Sequence, residues 1–322
     1  MSETIVVLEP LSERSATRMQ ALLPPGFVLT GMDRKDEDHM AEVIANADYA
    51  IASQAPVPAR VINCATKLRL IQKWGVGVDN IDVAAAHARN IPVARTTGSN
   101  AIPVAEFTLG LILSLCRCIA SGHAELRNGV WKGGGQLPIQ TMSVTGRTIG
   151  IIGFGAIGQV LAMLLRGFGC TILYNKRTPL DPQREQELGV SYAPIETLLR
   201  QADIVTLNCP HNAGTAGLIN RTTLAMMKPS AILINTARGG IVVESDLVEA
   251  LRDGVIAAAA TDVFEQEPVN VDHPLLSMSN VLVTPHIAAS AADSFEPGVR
   301  HMFRNILGVS KGEAIPLEDL IA

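Results

Sequence analysis

The chain is poor in the features that mark several functional classes. Its five cysteines, Cys64, Cys116, Cys118, Cys170 and Cys209, are odd in number and scattered. They form no Cys-x-x-Cys pair and no Cys/His ligand spacing, which argues against a disulfide scaffold and against structural zinc. No metal site is expected, and such thiols suit a reducing cytoplasm. Aromatic residues are only 4% of the chain against 48% apolar, a balance that fits an aliphatic α/β core better than a platform for stacked bases. No block of like charge occurs. The 26 basic and 31 acidic residues leave a formal net charge of −5, poor material for gripping a phosphate backbone, so no nucleic-acid partner is expected. Long apolar runs are also missing. The longest, AIPVAEFTLGLILSLC, contains Glu106, is closed by Arg117, and falls short of the roughly 20 residues of a membrane span. The strand-like N-terminus MSETIVVLEP has no basic segment followed by an apolar stretch. A cytoplasmic protein without leader or membrane partner is the expectation.

What is present is a regular alternation. The 322 residues suggest about two domains, each large enough for its own core. Along the first hundred, the strand-like runs TIVVLE, FVLTG, YAIAS, LRLIQKWG and IPVART alternate with the helical patterns DEDHMAEVIANA, VPARVINCA and IDVAAAHARN, which implies βαβ units and a parallel sheet. A long apolar helix follows, with Asn100 as N-cap and Pro103 in its first turn. Asn128-Gly129 and the run Gly133, Gly134, Gly135 mark an exposed loop. A second series of strands comes after it: TIGIIG, CTILYN, IVTLNC, AILINT, AAAATDVF and VLVTPH. The tail from Ala291 has a helical and then an irregular pattern and too little apolar sequence to fold alone, so it is expected to pack back on the first domain. The expected division is 1–99 with 291–322, and 100–290.

The segment GRTIGIIGFGAIGQVLA places Gly153, Gly155 and Gly158 in GxGxxG spacing between a strand pattern and a helix pattern. That context turns a weak motif into a strong one for a dinucleotide, the alternative being a glycine-rich turn without a ligand. Gly153 permits the tight turn, Gly155 lets backbone approach a pyrophosphate, and Gly158 lets the helix pack closely. After the next strand, where an NAD site usually carries a carboxylate for the ribose 2′-hydroxyl, the chain reads Asn175, Lys176, Arg177. Two cations there suit a 2′-phosphate, so NADP is preferred and NAD remains possible. The competing reading is a pair of solvated loop charges.

Reduction of a 2-oxo acid needs a cation for the carboxylate, an acid for the nascent alkoxide and a group that orients the acid. Arg238 in INTARGG, His286 in VTPHIAAS and Glu267 in DVFEQEP are of the right types. Each alone has a duller reading: a surface charge, a turn histidine, a loop acid. Together they follow strand ends in an open α/β domain, where ligands bind at the carboxyl edge of the sheet.

On these motifs, and on KWGVGVDNID and GSNAIPVAEFTLGLIL, the chain resembles the D-isomer-specific 2-hydroxyacid dehydrogenases over nearly its whole length. The resemblance implies two doubly wound parallel-sheet domains, a Rossmann-type cofactor domain and a flavodoxin-like substrate domain, with a cleft between them. It also implies a homodimer built through the long helix and its neighbouring loop. It assigns Arg238 to substrate, His286 to acid/base work and Glu267 to orienting His286. Backbone N–H groups near Val76 and Gly77, with Ser53 close by, are implied for the substrate carboxylate; a Gly75/Gly77 loop is compatible with an anion nest. Phe154, Ala156 and Ile157 match the pyrophosphate turn, Cys209, Pro210 and Thr215 the adenosine-side loops, and Thr236, Ala237 and Asp262 the nicotinamide surroundings. One departure is that Asn208 and His211 flank Cys209-Pro210 where the family pattern has His and Leu.

The function expected is a glyoxylate/hydroxypyruvate-type reductase yielding a D-2-hydroxy acid. The absence of an appended C-terminal regulatory domain argues against a long-type phosphoglycerate dehydrogenase. Short-form phosphoglycerate oxidation and a non-catalytic nucleotide-sensing module of the same fold are the alternatives.

Overall fold

The computed structural model describes residues 2–131 and 137–321; the expected loop at Gly133, Gly134 and Gly135 lies outside them. The chain divides into two compact units, 1–100 with 291–322, and 101–290.

In the first unit, β1 (Glu3–Val7), β2 (Phe27–Gly31), β3 (Tyr49–Ala52), β4 (Leu70–Lys73) and β5 (Val93–Ala94) form a parallel sheet in the order β2-β1-β3-β4-β5. This is the flavodoxin-like doubly wound order. Ile5, Val7, Ile51 and Leu70 bury one face and Val6, Ala50, Ala52 and Ile71 the other. Alternate residues of a strand point to opposite faces, so strands buried on both sides read as the continuous apolar runs seen in the sequence.

The tail belongs to this unit. Its helix Phe295–Ser310 buries Val299, Met302, Phe303 and Ile306 against Ile5, Val7 and Leu70. The segment read as irregular ends instead in a short strand, Leu320–Ile321, antiparallel to β5. Two residues of strand carry too little pattern to be seen in sequence. The strand is held from within the fold by Asp319, which is fully buried and accepts hydrogen bonds from His301 Nε2 (2.6 Å), Asn305 Nδ2 (3.1 Å) and the Thr97 N–H (3.1 Å).

In the second unit, β6 (Thr148–Ile152), β7 (Thr171–Asn175), β8 (Val190–Tyr192), β9 (Ile204–Leu207), β10 (Ile232–Asn235), β11 (Ala258–Thr261) and β12 (Val281–Val283) are all parallel, in the order β8-β7-β6-β9-β10-β11-β12. The order reverses between β6 and β9, as in a Rossmann sheet, and ligands of such folds bind at that reversal. The sequence reading missed β8, a three-residue edge strand with only Val190 buried. Among the described residues no single helix is long and apolar enough to cross a membrane. Ala101–Cys116 and Ile119–Arg127 reach that length only together, bent by 63°. The first of them packs on helix Ala156–Leu165 and on β10 to β12.

Asp319 gives a test of the tail's anchoring. Burial pushes its carboxyl up, but the hydrogen bonds from His301, Thr97 and Asn305 outweigh burial and hold it below its ordinary value of 3.8. A depressed carboxylate stabilises the fold above its unfolded pKa, and that contribution is lost as pH falls through the lower folded-state value. Asp319→Asn is expected to cost roughly 3 kcal/mol at neutral pH, with the deficit shrinking below pH 3.8. Denaturant unfolding followed by the fluorescence of Trp74, which packs on Phe295 at 5.5 Å, measures it; a pH-independent deficit contradicts it.

Candidate active site

The glycine turn shows three different physical requirements. Gly153 has φ +93°, and a Cβ on it would lie 2.2 Å from Cys209 N, so the turn presses directly on the chain leaving β9. A Cβ on Gly158 would lie 2.7 Å from Gly153 O, whereas one on Gly155 would meet nothing. The first and third glycines are therefore needed by the protein itself, and the second leaves open space where a ligand would approach. Gly155 caps helix Ala156–Leu165 without any side-chain hydrogen bond. The first-turn N–H groups, Ala156 and Ile157 included, are left to an anion. The residues fit a dinucleotide. Phe154 is buried against Tyr174, 4.4 Å between ring centres, so it offers a ligand its backbone only.

At the end of β7, Asn175 turns its amide to Ala193 O (2.9 Å) and its carbonyl to the Gly153 N–H (2.9 Å). Lys176 is half-buried and Arg177 exposed; among the described residues neither forms an ion pair. Across the strand reversal, burial pushes the Cys209 thiol up to about 11, keeping it protonated. Thr215 Oγ1 donates to Pro210 O (2.6 Å) and accepts from the Asn212 N–H (2.9 Å), closing the 210–215 turn.

The three proposed chemical groups sit at the carboxyl ends of β10, β11 and β12. Arg238 follows β10, where Asn235 Nδ2 holds its carbonyl (3.0 Å) and Asn235 Oδ1 accepts from the Ala237 N–H (3.1 Å). Gly239 must follow, since any Cβ there would lie 1.9 Å from Phe264 C. Thr236 is buried and its hydroxyl meets that of Thr108 at 2.9 Å, so it faces the long helix.

His286 Nδ1 lies 2.6 Å from Glu267 Oε2, and Glu267 Oε1 accepts from the Phe264 N–H (3.0 Å). Burial pushes the Glu267 carboxyl up. The hydrogen bonds from His286 and Phe264, with the charges of His286 and Arg238, outweigh it and hold the carboxyl below the usual range. His286 itself has φ +52°, in the left-handed region that few residues other than glycine adopt. It is held there by Asp262, fully buried beyond β11, whose carbonyl accepts the His286 N–H (2.8 Å). The Asp262 carboxylate accepts from Thr284 Oγ1 (2.6 Å), the Ile287 N–H (2.9 Å) and the Ala288 N–H (2.8 Å). Asp262 is thus a brace for the histidine loop.

In the first unit, Ser53 follows β3 and Val76 and Gly77 follow β4. Gly75 has φ +129°, and among the described residues the Val76 and Gly77 N–H groups have no protein acceptor. Sequence reasoning missed Lys73. Its ammonium is buried at the end of β4 and donates to Ser53 O and to Asn80 Oδ1, while Asn80 Nδ2 donates to Ser53 O (3.0 Å) and Ala55 O (2.7 Å). A lysine at the end of a fully buried strand, after Gln72, carries no signal in sequence alone.

Comparison with known proteins bears on this arrangement. The family model described as "D-isomer specific 2-hydroxyacid dehydrogenase, NAD binding domain" matches residues 109–288. The chain belongs to the D-isomer specific 2-hydroxyacid dehydrogenase family. The glyoxylate reductase of Thermococcus litoralis is 38% identical over 297 residues, covering 91% of this chain and 86% of that one. The D-3-phosphoglycerate dehydrogenase of Archaeoglobus fulgidus is 37% identical over 294 residues, 90% of this chain but 54% of the relative, so the chain spans about half of that protein's length. Among solved structures, the NADPH-dependent glyoxylate/hydroxypyruvate reductase of Sinorhizobium meliloti in complex with NADP and malonate superposes with a TM-score of 0.86 at 31% identity, covering 100% of this chain and 97% of that one.

The two glycines give contrasting expectations. Gly153→Ala forces a methyl into backbone and should lower the melting temperature by several degrees. Gly155→Ala should melt like the parent yet lose dinucleotide affinity, read by calorimetric titration; equal affinity would contradict the assignment of that open space to a ligand.

Proposed function

We propose that this protein is a cytoplasmic NADPH-preferring reductase of small 2-oxo acids of the glyoxylate/hydroxypyruvate kind, giving the D-2-hydroxy acid. The observation that carries the reading is the 2.6 Å contact between His286 Nδ1 and Glu267, with Arg238 near enough for its charge to act on the same carboxyl. Glu267 accepts the hydrogen bond from Nδ1–H and so leaves Nε2 of His286 as the nitrogen that exchanges a proton. Arg238 takes the substrate carboxylate, for which a planar guanidinium fork is suited. In the first unit, Ser53 and the Val76 and Gly77 N–H groups are the candidates for binding an anion. The nicotinamide, when bound through Gly153 to Gly158, supplies the hydride. His286 supplies the proton to the carbonyl oxygen, and Glu267 stabilises the charged ring before that transfer.

Lys176 and Arg177, without a neighbouring carboxylate, support NADPH over NADH. Similarity to glyoxylate reductases and to an NADPH-dependent reductase supports the substrate class. Similarity to phosphoglycerate dehydrogenases makes 3-phosphoglycerate the acid to test as an alternative. A homodimer is supported by helix Ile119–Arg127, which buries no residue, while Ile119 and Leu126 on it and Val130 and Trp131 just after it stand exposed. A second copy of the chain would cover them.

Following reduced-nicotinamide absorbance with a panel of 2-oxo acids tests the reading. Glyoxylate or hydroxypyruvate should be reduced with a higher kcat/KM for NADPH than for NADH, and His286→Ala should lose at least about 100-fold in kcat. No turnover with any 2-oxo acid overturns it. Because Glu267 stays ionised until pH drops below its ordinary 4.5, the acid limb of kcat that reports its protonation should lie under pH 4.5, and Glu267→Gln should abolish that limb. Leu126→Glu should shift sedimentation from dimer to monomer.

A further inference from the structure

The loop that carries Glu267 is clamped from behind by a carboxylate remote from the reacting atoms. Glu244 opens helix Glu244–Arg252, and its side chain is only 13% exposed. It meets Glu265 in two reciprocal hydrogen bonds. The Glu244 N–H donates to Glu265 Oε1 (3.0 Å), and the Glu265 N–H donates to Glu244 Oε1 (2.7 Å). The other oxygen, Glu244 Oε2, lies 3.1 Å from His273 Nε2. His273 Nδ1 accepts from the Leu275 N–H at 3.3 Å, so Nε2 carries the hydrogen and donates to Glu244. The His273 ring in turn packs edge-on against Phe264 at 5.9 Å.

What the clamp holds is the backbone at Phe264 and Glu265, and two functional groups depend on it. The Phe264 N–H fixes Glu267 Oε1, whose partner oxygen meets His286. The next peptide, Phe264–Glu265, fills the space in which Gly239 has no side chain, directly after Arg238. A shift of this backbone therefore moves the carboxylate that orients the histidine and the turn that carries the arginine together. Catalytic geometry is sensitive to displacements on the order of 1 Å, which cost up to roughly 100-fold in rate.

We propose that Glu244 is a positioning residue for the Glu267–His286 pair, acting through its hydrogen bonds to Glu265 and His273. The proposal rests on the catalytic reading of that pair. Glu244 spends its hydrogen bonds on Glu265 and His273 and none on the glycine turn, so its effect falls on kcat and leaves dinucleotide affinity alone.

The test is a double-mutant cycle on glyoxylate reduction by NADPH, with NADPH affinity measured separately by fluorescence titration. Glu244→Ala should lower kcat about tenfold, with the dissociation constant for NADPH unchanged. In a Glu267→Ala background the same substitution should alter kcat by less than about twofold, because the group it positions is gone. A tenfold loss in both backgrounds, or a Glu244→Ala enzyme with the parent's kcat, overturns the proposal. Should Glu244→Ala fail to fold, Glu265→Ala removes only one arm of the clamp from an exposed residue, and additivity with Glu267→Ala overturns the proposal equally. A Glu267→Ala enzyme that turns over at the parent's rate instead overturns the catalytic reading beneath it.

Discussion

The buried carboxylate of Asp262 is the interaction on which the second unit's site depends. A carboxylate without solvent is tolerated only when its oxygens are satisfied by donors, and here the donors are Thr284, Ile287 and Ala288. Those residues bracket His286 and leave it little choice of backbone conformation, which is why a histidine is held at φ +52°. The strain of one residue is offset by three charge-assisted hydrogen bonds from its neighbours. The result is an imidazole aimed by backbone, whose ring is then fixed about its own axis by the hydrogen bond to Glu267.

Around this centre the protein replaces side chains by backbone wherever elements must touch. Gly153 lets the β6 turn lie on the chain leaving β9, and Gly239 lets the arginine turn lie on the Phe264–Glu265 peptide. Both contacts bring segments distant in sequence into register at the carboxyl edge of the sheet. Rigidity there is supplied by the sheet's core, where Ile151, Ile232, Ile234 and Ala260 are fully or almost fully buried. The exposed 210–215 turn adds short, local hydrogen bonds through Thr215.

Much of this was legible in the sequence because parallel strands buried on both faces leave unbroken apolar runs, and those runs located eleven of the strands. β8 and the terminal Leu320–Ile321 strand were not legible. One is an edge strand with a single buried residue, and the other is two residues long and held by Asp319. The site divided in the same way. Arg238, Glu267 and His286 stand out by residue type at strand ends, and the structure brings Glu267 and His286 into contact. Lys73, Glu244 and Glu265 did not stand out, since a lysine at a strand end and glutamates at a helix start and in a loop are ordinary there; only their partners give them meaning.

The sequence by itself determined the two α/β layers and the dinucleotide turn, because hydrophobic period and glycine spacing are local properties. Tertiary structure alone decided which atoms of those residues remain for chemistry. Phe154, Asn175 and Thr236 spend their side chains on the protein, while Asp262, three strands from the glycine turn, becomes the brace of the histidine loop. Hydrogen-bond partners separated by tens of residues are set by how strands are ordered in a sheet, and no local pattern encodes that pairing.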